Sequence, residues 1–251
     1  MLQQQTLESL DNLRLVGMAQ ALRLQYGQPD AIQRSFDERL AQLLDAELNQ
    51  REQARLLRMH KQAKLKHAAA CLEDIDFTAK RGLDRSYVAT LASSDWLRRS
   101  QFMIICGPTG VGKTWLACAF GCQAVRSGFP VLYKRFPLLM DELDIARRDG
   151  SLPKLRNQLS KAKLLIMDDW AMAPLTVTSR HELLELIEDR CGQGSLLLTS
   201  QLPLSQWHDY IGEPTIADAI MDRLIHRAHK LELHGESLRK KANKVQEVRD
   251  E

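Results

Sequence analysis

Eight residues constrain this chain more than any others. The run 107-GPTGVGKT-114 completes the pattern G-x-x-x-x-G-K-[ST]. Average composition gives such a match by chance in roughly one chain in a hundred of this size. Its setting removes most of that chance: the apolar run 102-FMIIC-106 enters it and a helical pattern over 114–127 leaves it. That is the strand, loop and helix context a phosphate-cradling loop requires. Glycines let the backbone close around phosphates with successive amides turned inward, and the helix behind adds unpaired amides and the positive end of its dipole. Within Gly107, Pro108, Thr109, Gly110, Val111, Gly112, Lys113 and Thr114, the lysine is placed against β- and γ-phosphates. The threonine hydroxyl is placed against Mg²⁺. The expected ligand is ATP or GTP.

The rest of the chain after residue 100 alternates. Apolar runs 102-FMIIC-106, 131-VLYK-134, 163-KLLIMD-168 and 195-SLLLT-199 are short enough for buried parallel strands. Between them lie helical patterns over 113–127, 136–148, 151–161 and 178–191. The alternation predicts an α/β fold with a central parallel sheet flanked by helices. A last helix over 214–229 leads into 230-KLELHG-235 as an edge strand, and 236–251 reads as a polar tail. Before all this, residues 1–70 read as a small helical domain, with a helix over 6–25 capped by Thr6, a break at 26-YGQPD-30 and a long helix over 36–66. The ATPase-like domain is expected over 71–235.

Two further signals fall at strand ends, where ligands bind in α/β sheets. In 164-LLIMDDW-170 an apolar strand delivers two carboxylates, Asp168 to hold Mg²⁺ as a hard oxygen ligand and Asp169 to polarise the attacking water. In 196-LLLTSQLP-203 the polar end offers Thr199, Ser200 or Gln201 to the γ-phosphate or the lytic water.

Composition excludes several classes. No stretch reaches the ~18 uncharged apolar residues of a membrane span, and the N-terminus lacks a basic region followed by an apolar run. Five cysteines, an odd number, sit mostly in apolar segments and read as reduced thiols of a cytoplasmic protein. His226 and His229, read as three apart on one helix, have no further ligands at suitable spacing, so no metal beyond Mg²⁺ is expected. Net charge is only +3, so a nucleic-acid partner must be met by local patches. One such patch is the stripe Arg51, Arg55, Arg58 and Lys61, which shares about a third of a helix circumference. Another is the group Lys134, Arg135, Arg147, Arg148, Lys154 and Arg156. A solvated helix face is the alternative for the first and ordinary solvated surface for the second.

The stretches GPTGVGKT, LLIMDDW, LTSQLP and DRLIHRAH, together with the run 196–240, resemble the IstB-type ATP-binding proteins of IS21-type insertion sequences. These are transposition helper ATPases of the AAA+ initiator group, related to bacterial helicase loaders, and the resemblance covers nearly the whole chain. It implies an AAA+ P-loop core with a truncated lid, ATP and Mg²⁺ as ligands, and double-stranded DNA and a cognate transposase as partners. It further implies a homo-oligomeric ring or spiral with composite ATP sites. It makes Lys113 and Thr114 Walker A and Asp168 and Asp169 Walker B, and it gives Gln201 the sensor position and Arg223 the arginine-finger position. Basic residues of the core, Lys134, Arg135, Lys154 and Arg156 among them, would grip DNA phosphates from a central channel. The chain departs from the wider AAA+ pattern at Asp169, where Glu is common, and at Gln201, where Asn is common. A helicase loader and a largely non-hydrolysing ATP-controlled DNA clamp are the rival readings.

Overall fold

The computed structural model describes residues 2–28, 30, 33–79 and 81–238. The chain divides into two compact units, Met1–Arg58 and Met59–Glu251, so the division falls earlier than the expectation near residue 70. The cause is apolar: Met59, Ala63, Leu65 and Ala70 pack into the core of the second unit.

The first unit contains α1 (Leu2–Asn12), α2 (Val16–Gly27) and most of α3 (Phe36–Ala63). The single helix expected over 6–25 is two helices, because Arg14 adopts φ 58° and breaks the hydrogen-bond ladder. Thr6 is therefore no cap; it lies inside α1, where its hydroxyl donates to the Leu2 carbonyl at 2.9 Å. The free amides at the start of α2 are met from α3 instead. Glu47 accepts from the Gly17 and Met18 amides at 2.8 and 3.2 Å. Gly17 permits the approach, since a methyl there would lie 2.5 Å from the Ala46 carbonyl oxygen.

In the second unit, α4 (Arg85–Ala92) and α5 (Asp95–Arg98) precede β1 (Phe102–Cys106) and α6 (Lys113–Arg126). Then follow β2 (Val131–Arg135), α7 (Phe136–Asp149), α8 (Leu152–Ser160), β3 (Leu164–Trp170), α9 (Val177–Arg190) and β4 (Ser195–Ser200). The described residues end with α10 (Trp207–Ile211), α11 (Pro214–Ile225), β5 (Ala228–Glu232) and a short segment to Leu238. The five strands form one parallel sheet in the order β2-β3-β4-β1-β5.

Both faces of the sheet are buried, and the strands show why their sequences are apolar at every position. Met103, Ile105, Leu164, Ile166 and Leu197 face one core with α6, whereas Phe102, Ile104, Leu165, Met167, Leu196 and Leu198 face the other with α7, α9 and α11. Adjacent residues serve opposite layers, as the two-residue period of a strand dictates. The last helix is shorter than expected. The Arg227 carbonyl accepts from the Phe102 amide at 3.0 Å, which draws the chain into β5 beside β1. His229 is thus a strand residue bonded to Tyr87 and Gln101, while His226 pairs with Asp222, so the two do not share a helix. No helix among the described residues is long and apolar enough to cross a membrane.

Candidate nucleotide-binding site

The carboxyl ends of β1, β3 and β4 meet at a cavity of about 410 Å³ that opens over the loop 107–112. This is a size suited to a small-molecule ligand. Lys113 begins α6, is 8 % exposed, and donates to the Gly107 and Pro108 carbonyls at 2.7 and 2.8 Å. Gly107 and Gly112 have φ of 149° and 100°, backbone that favours glycine. At Gly107 a side chain would also collide with the Leu233 carbonyl oxygen. Residues 233–238 run across this loop, the Leu238 amide donating to the Gly110 carbonyl at 2.9 Å. The first residues of the expected polar tail are therefore part of the site's wall; residues 239–251, with Arg239, Lys240, Lys241 and Lys244, lie outside the described residues.

Asp168 is wholly buried and collects three hydroxyls. Thr114 donates at 2.9 and 3.1 Å, Tyr133 at 2.7 Å and Thr199 at 2.5 Å. Burial and the adjoining carboxylate push the Tyr133 phenol well above its ordinary range, so it stays a donor. Hard oxygen donors fit Mg²⁺, which typically takes one or two carboxylates and fills its shell with water and substrate phosphates. Among the described residues no group of three His, Cys, Asp or Glu side chains could hold a metal alone. Thr114 and Asp168 would therefore share it with phosphate oxygens.

Asp169 reaches the same cavity only because β3 is irregular. Strand alternation would send Asp168 and Asp169 to opposite faces. The β3–β4 register shifts between Met167 and Trp170, and Asp169 takes φ 64°. Such bulges re-aim side chains next to functional sites. The Asp169 amide donates to Thr199 Oγ1 at 3.1 Å, and its carboxylate meets Arg135 at 3.2 Å. Gln201, just past β4, accepts from Thr109 Oγ1 at 2.5 Å and also lines the cavity. Sequence reasoning did not find four further participants: Tyr133, Arg135 in its contact with Asp169, Lys66 and His67. Tyr133 had a signal, a hydroxyl inside the apolar run of a strand.

Residues 8–246 match the family of IstB-like ATP binding proteins. The chain belongs to this family. It is similar to a Sinorhizobium fredii protein named as an insertion sequence ATP-binding protein, with 46% identity over 240 residues, 96% of this chain and 98% of the relative. A Pseudomonas fluorescens protein named for ATP binding and the insertion sequence IS1162 is 53% identical over 205 residues, 82% of this chain and 89% of the relative. Among solved structures, the crystal structure of DnaI superposes with a TM-score of 0.57 at 20% identity, covering 66% of this chain and 92% of that one. The replication initiator DnaA, bound to AMPPCP and single-stranded DNA, gives 0.52 at 18% identity, covering 71% and 55%. At these identities the likeness is one of fold, the AAA+ P-loop core preceded here by a helical region.

This IstB-like chain does not bring Arg223 to its own cavity. Arg223 is in the last turn of α11, which feeds the start of β5 and hence the amino-end edge of the sheet; the cavity lies at the carboxyl-end edge. There Arg223 pairs with Glu188 at 2.5 Å and donates to the Ala219 carbonyl. The expected DNA-contacting residues are mostly paired as well. Arg51 meets Glu47, Arg55 meets Glu52, Lys134 meets Glu142, and Arg156 meets Glu182 and Glu185. Lys154 borders a shallow groove between α7 and α8. Arg58 donates to its own helix at Ala54, and Lys61 is exposed on α3.

Proposed function

We propose that this chain is an ATP-dependent DNA-binding AAA+ ATPase that assembles on target DNA and regulates or recruits a transposase during insertion-sequence transposition. The observation that carries the ATPase reading is the meeting of Thr114, Asp169 and Gln201 around the cavity entered by Lys113, with buried Asp168 bonded directly behind Thr114. These are the groups that phosphoryl transfer to water needs, and they come from the ends of β3 and β4 and the start of α6. The names of the similar proteins, which join ATP binding to insertion sequences, support the transposition setting.

In this reading the loop amides and Lys113 hold the phosphate chain, and Thr114 with Asp168 hold Mg²⁺. The cation would draw charge from the β- and γ-phosphate oxygens. Asp169 orients water, Gln201 hydrogen-bonds the γ-phosphate or that water, and Arg223 of a neighbouring copy faces the transferred group. Oligomerisation on double-stranded DNA would then complete each site.

Titration calorimetry with ATP and Mg²⁺ tests the core of this. Lys113→Ala removes the cation beside the β- and γ-phosphates and should abolish both ATP binding and ATP-dependent binding to duplex DNA. Unchanged ATP affinity would overturn the site. The Asp169–Arg135 ion pair favours a second reading, an ATP-controlled clamp with weak hydrolysis, because the pair holds the acid away from water. Turnover far slower than the dissociation of ATP-bound protein from DNA would select it.

A further inference from the structure

The connector that follows α3 is fastened along the phosphate-loop helix so that two basic side chains face the cavity. Lys64 adopts φ 53° and turns the chain out of α3. Leu65 is then buried over Gly121, where an added methyl would lie 2.8 Å from Leu65 Cδ2 and 2.9 Å from Ile166 Cδ1. Three residues on, the Ala68 carbonyl accepts from Cys122 Sγ at 3.4 Å, with His60 Nε2 2.9 Å from the same oxygen. Thr114, Cys118 and Cys122 follow one another at four-residue intervals and so share a face of α6. The connector is therefore pinned to the face that carries the Thr114 hydroxyl.

Between the two anchors, Lys66 and His67 are exposed and line the same cavity as Lys113, Thr114 and Asp169. Neither side chain has a hydrogen bond or ion pair among the described residues. Of the other cations, Arg135 is committed to Asp169, Arg81 beside Gly112 donates to the Asp76 carbonyl at 2.8 Å, and Arg223 stands at the opposite edge of the sheet. A nucleoside triphosphate carries several negative charges, and Asp168 lies behind the Thr114 hydroxyl at the same site. Among the described residues that line the cavity, Lys113 is the one other lysine or arginine besides Lys66.

We propose that Lys66 and His67 are phosphate-binding residues of the nucleotide site, a second wall of hydrogen-bond donors that this subunit supplies from its α3 connector. The proposal rests on the nucleotide reading of the cavity and extends it. Side chains held by the backbone at a cavity mouth meet phosphate oxygens without a conformational search, which is where such contacts gain most. The anchoring explains why a leucine is fitted to a glycine notch at this point of an otherwise exposed connector.

The test is calorimetric titration of the full chain with the slowly hydrolysed analogue ATPγS and Mg²⁺, on Lys66→Gln, Lys66→Arg, the double variant Lys66→Gln/His67→Gln, and Lys113→Ala. One charge-assisted hydrogen bond corresponds to about tenfold or more in affinity. Lys66→Gln should weaken binding by about tenfold and the double variant further, while Lys66→Arg should stay close to wild type. The melting temperatures without nucleotide should be unchanged, since both side chains are exposed. Wild-type affinity in the double variant, with Lys113→Ala unable to bind, would overturn this proposal and leave the nucleotide site standing. A loss that Lys66→Arg fails to restore, accompanied by a lowered melting temperature, would mean a structural role and overturn it too. Wild-type affinity in Lys113→Ala would remove the nucleotide site itself.

Discussion

The Thr109 hydroxyl donates to Gln201 Oε1 at 2.5 Å, tying the phosphate loop to the end of β4 across 92 residues of sequence. The other end of the Gln201 amide reaches Met172 Sδ at 3.3 Å, on the loop that follows Asp169. One side chain therefore touches two of the three segments that surround the cavity. Residues in direct contact couple by about 0.5–3 kcal/mol in double-mutant cycles. For Thr109→Ala and Gln201→Ala, a cycle built on ATP affinity should give coupling in that range. Additive losses would show that the bond does not link loop and sensor. Gln201→Ala alone should lower turnover more than it lowers affinity.

Asp169 is the acid best placed to orient water, since Asp168 is occupied by three hydroxyls. Asp169→Asn keeps size and polarity but accepts a proton poorly, so binding should survive while turnover falls by about 10²–10⁴-fold. Such a variant should hold DNA longer in ATP than wild type. Arg135→Gln releases the Asp169 carboxylate and should raise turnover severalfold. A fall in turnover instead would place Arg135 directly on the substrate.

Arg223 and the cavity lie at opposite edges of one sheet, so action on ATP requires a second copy. Arginine fingers are commonly worth about 10³–10⁵ in rate. Arg223→Ala and Lys113→Ala proteins should each be nearly inactive. Mixed together they should recover part of the wild-type rate, because some interfaces pair an intact loop with an intact finger. Absence of recovery despite demonstrated co-assembly would confine Arg223 to its local pair with Glu188.

The stripe on α3 tests the DNA contact. Arg51 and Arg55 are paired within the helix, but both arginines are exposed, and the Arg55–Glu52 pair, exposed on both sides, contributes little and exchanges readily for phosphate. Each phosphate contact on duplex DNA adds about 0.9 to the slope of log affinity against log salt. Replacing Arg51, Arg55, Arg58 and Lys61 by Gln should flatten that slope measurably. An unchanged slope, with assembly intact, would make the stripe a solvated face.

The phosphate loop was readable because it is encoded locally. Glycines at Gly107 and Gly112, a lysine and a threonine at fixed spacing specify a backbone path and two side-chain positions without reference to distant residues. The strands were readable for a similar reason, since burial on both faces leaves an unbroken apolar run. Boundaries drawn from periodicity were less secure where a single residue in the left-handed region interrupts a helix, as Arg14 does between α1 and α2. Nothing in the side chain of an arginine announces that conformation.

What only the tertiary structure decided is which side chains meet. Strand alternation places Asp168 and Asp169 on opposite faces, and a bulge stabilised by the Thr199 hydroxyl from the next strand overrules it. Arg135 reads as a DNA contact in sequence and is the partner of Asp169 in space, because β2 lies beside β3 in the sheet. Lys66 reads as the last residue of a long helix, and it stands with His67 at the cavity because a leucine finds a glycine notch on α6 more than fifty residues later. A local pattern fixes the dihedral angles of a loop. Partnership across the sheet depends on strand order and register, which the chain sets only when its whole apolar surface is buried together.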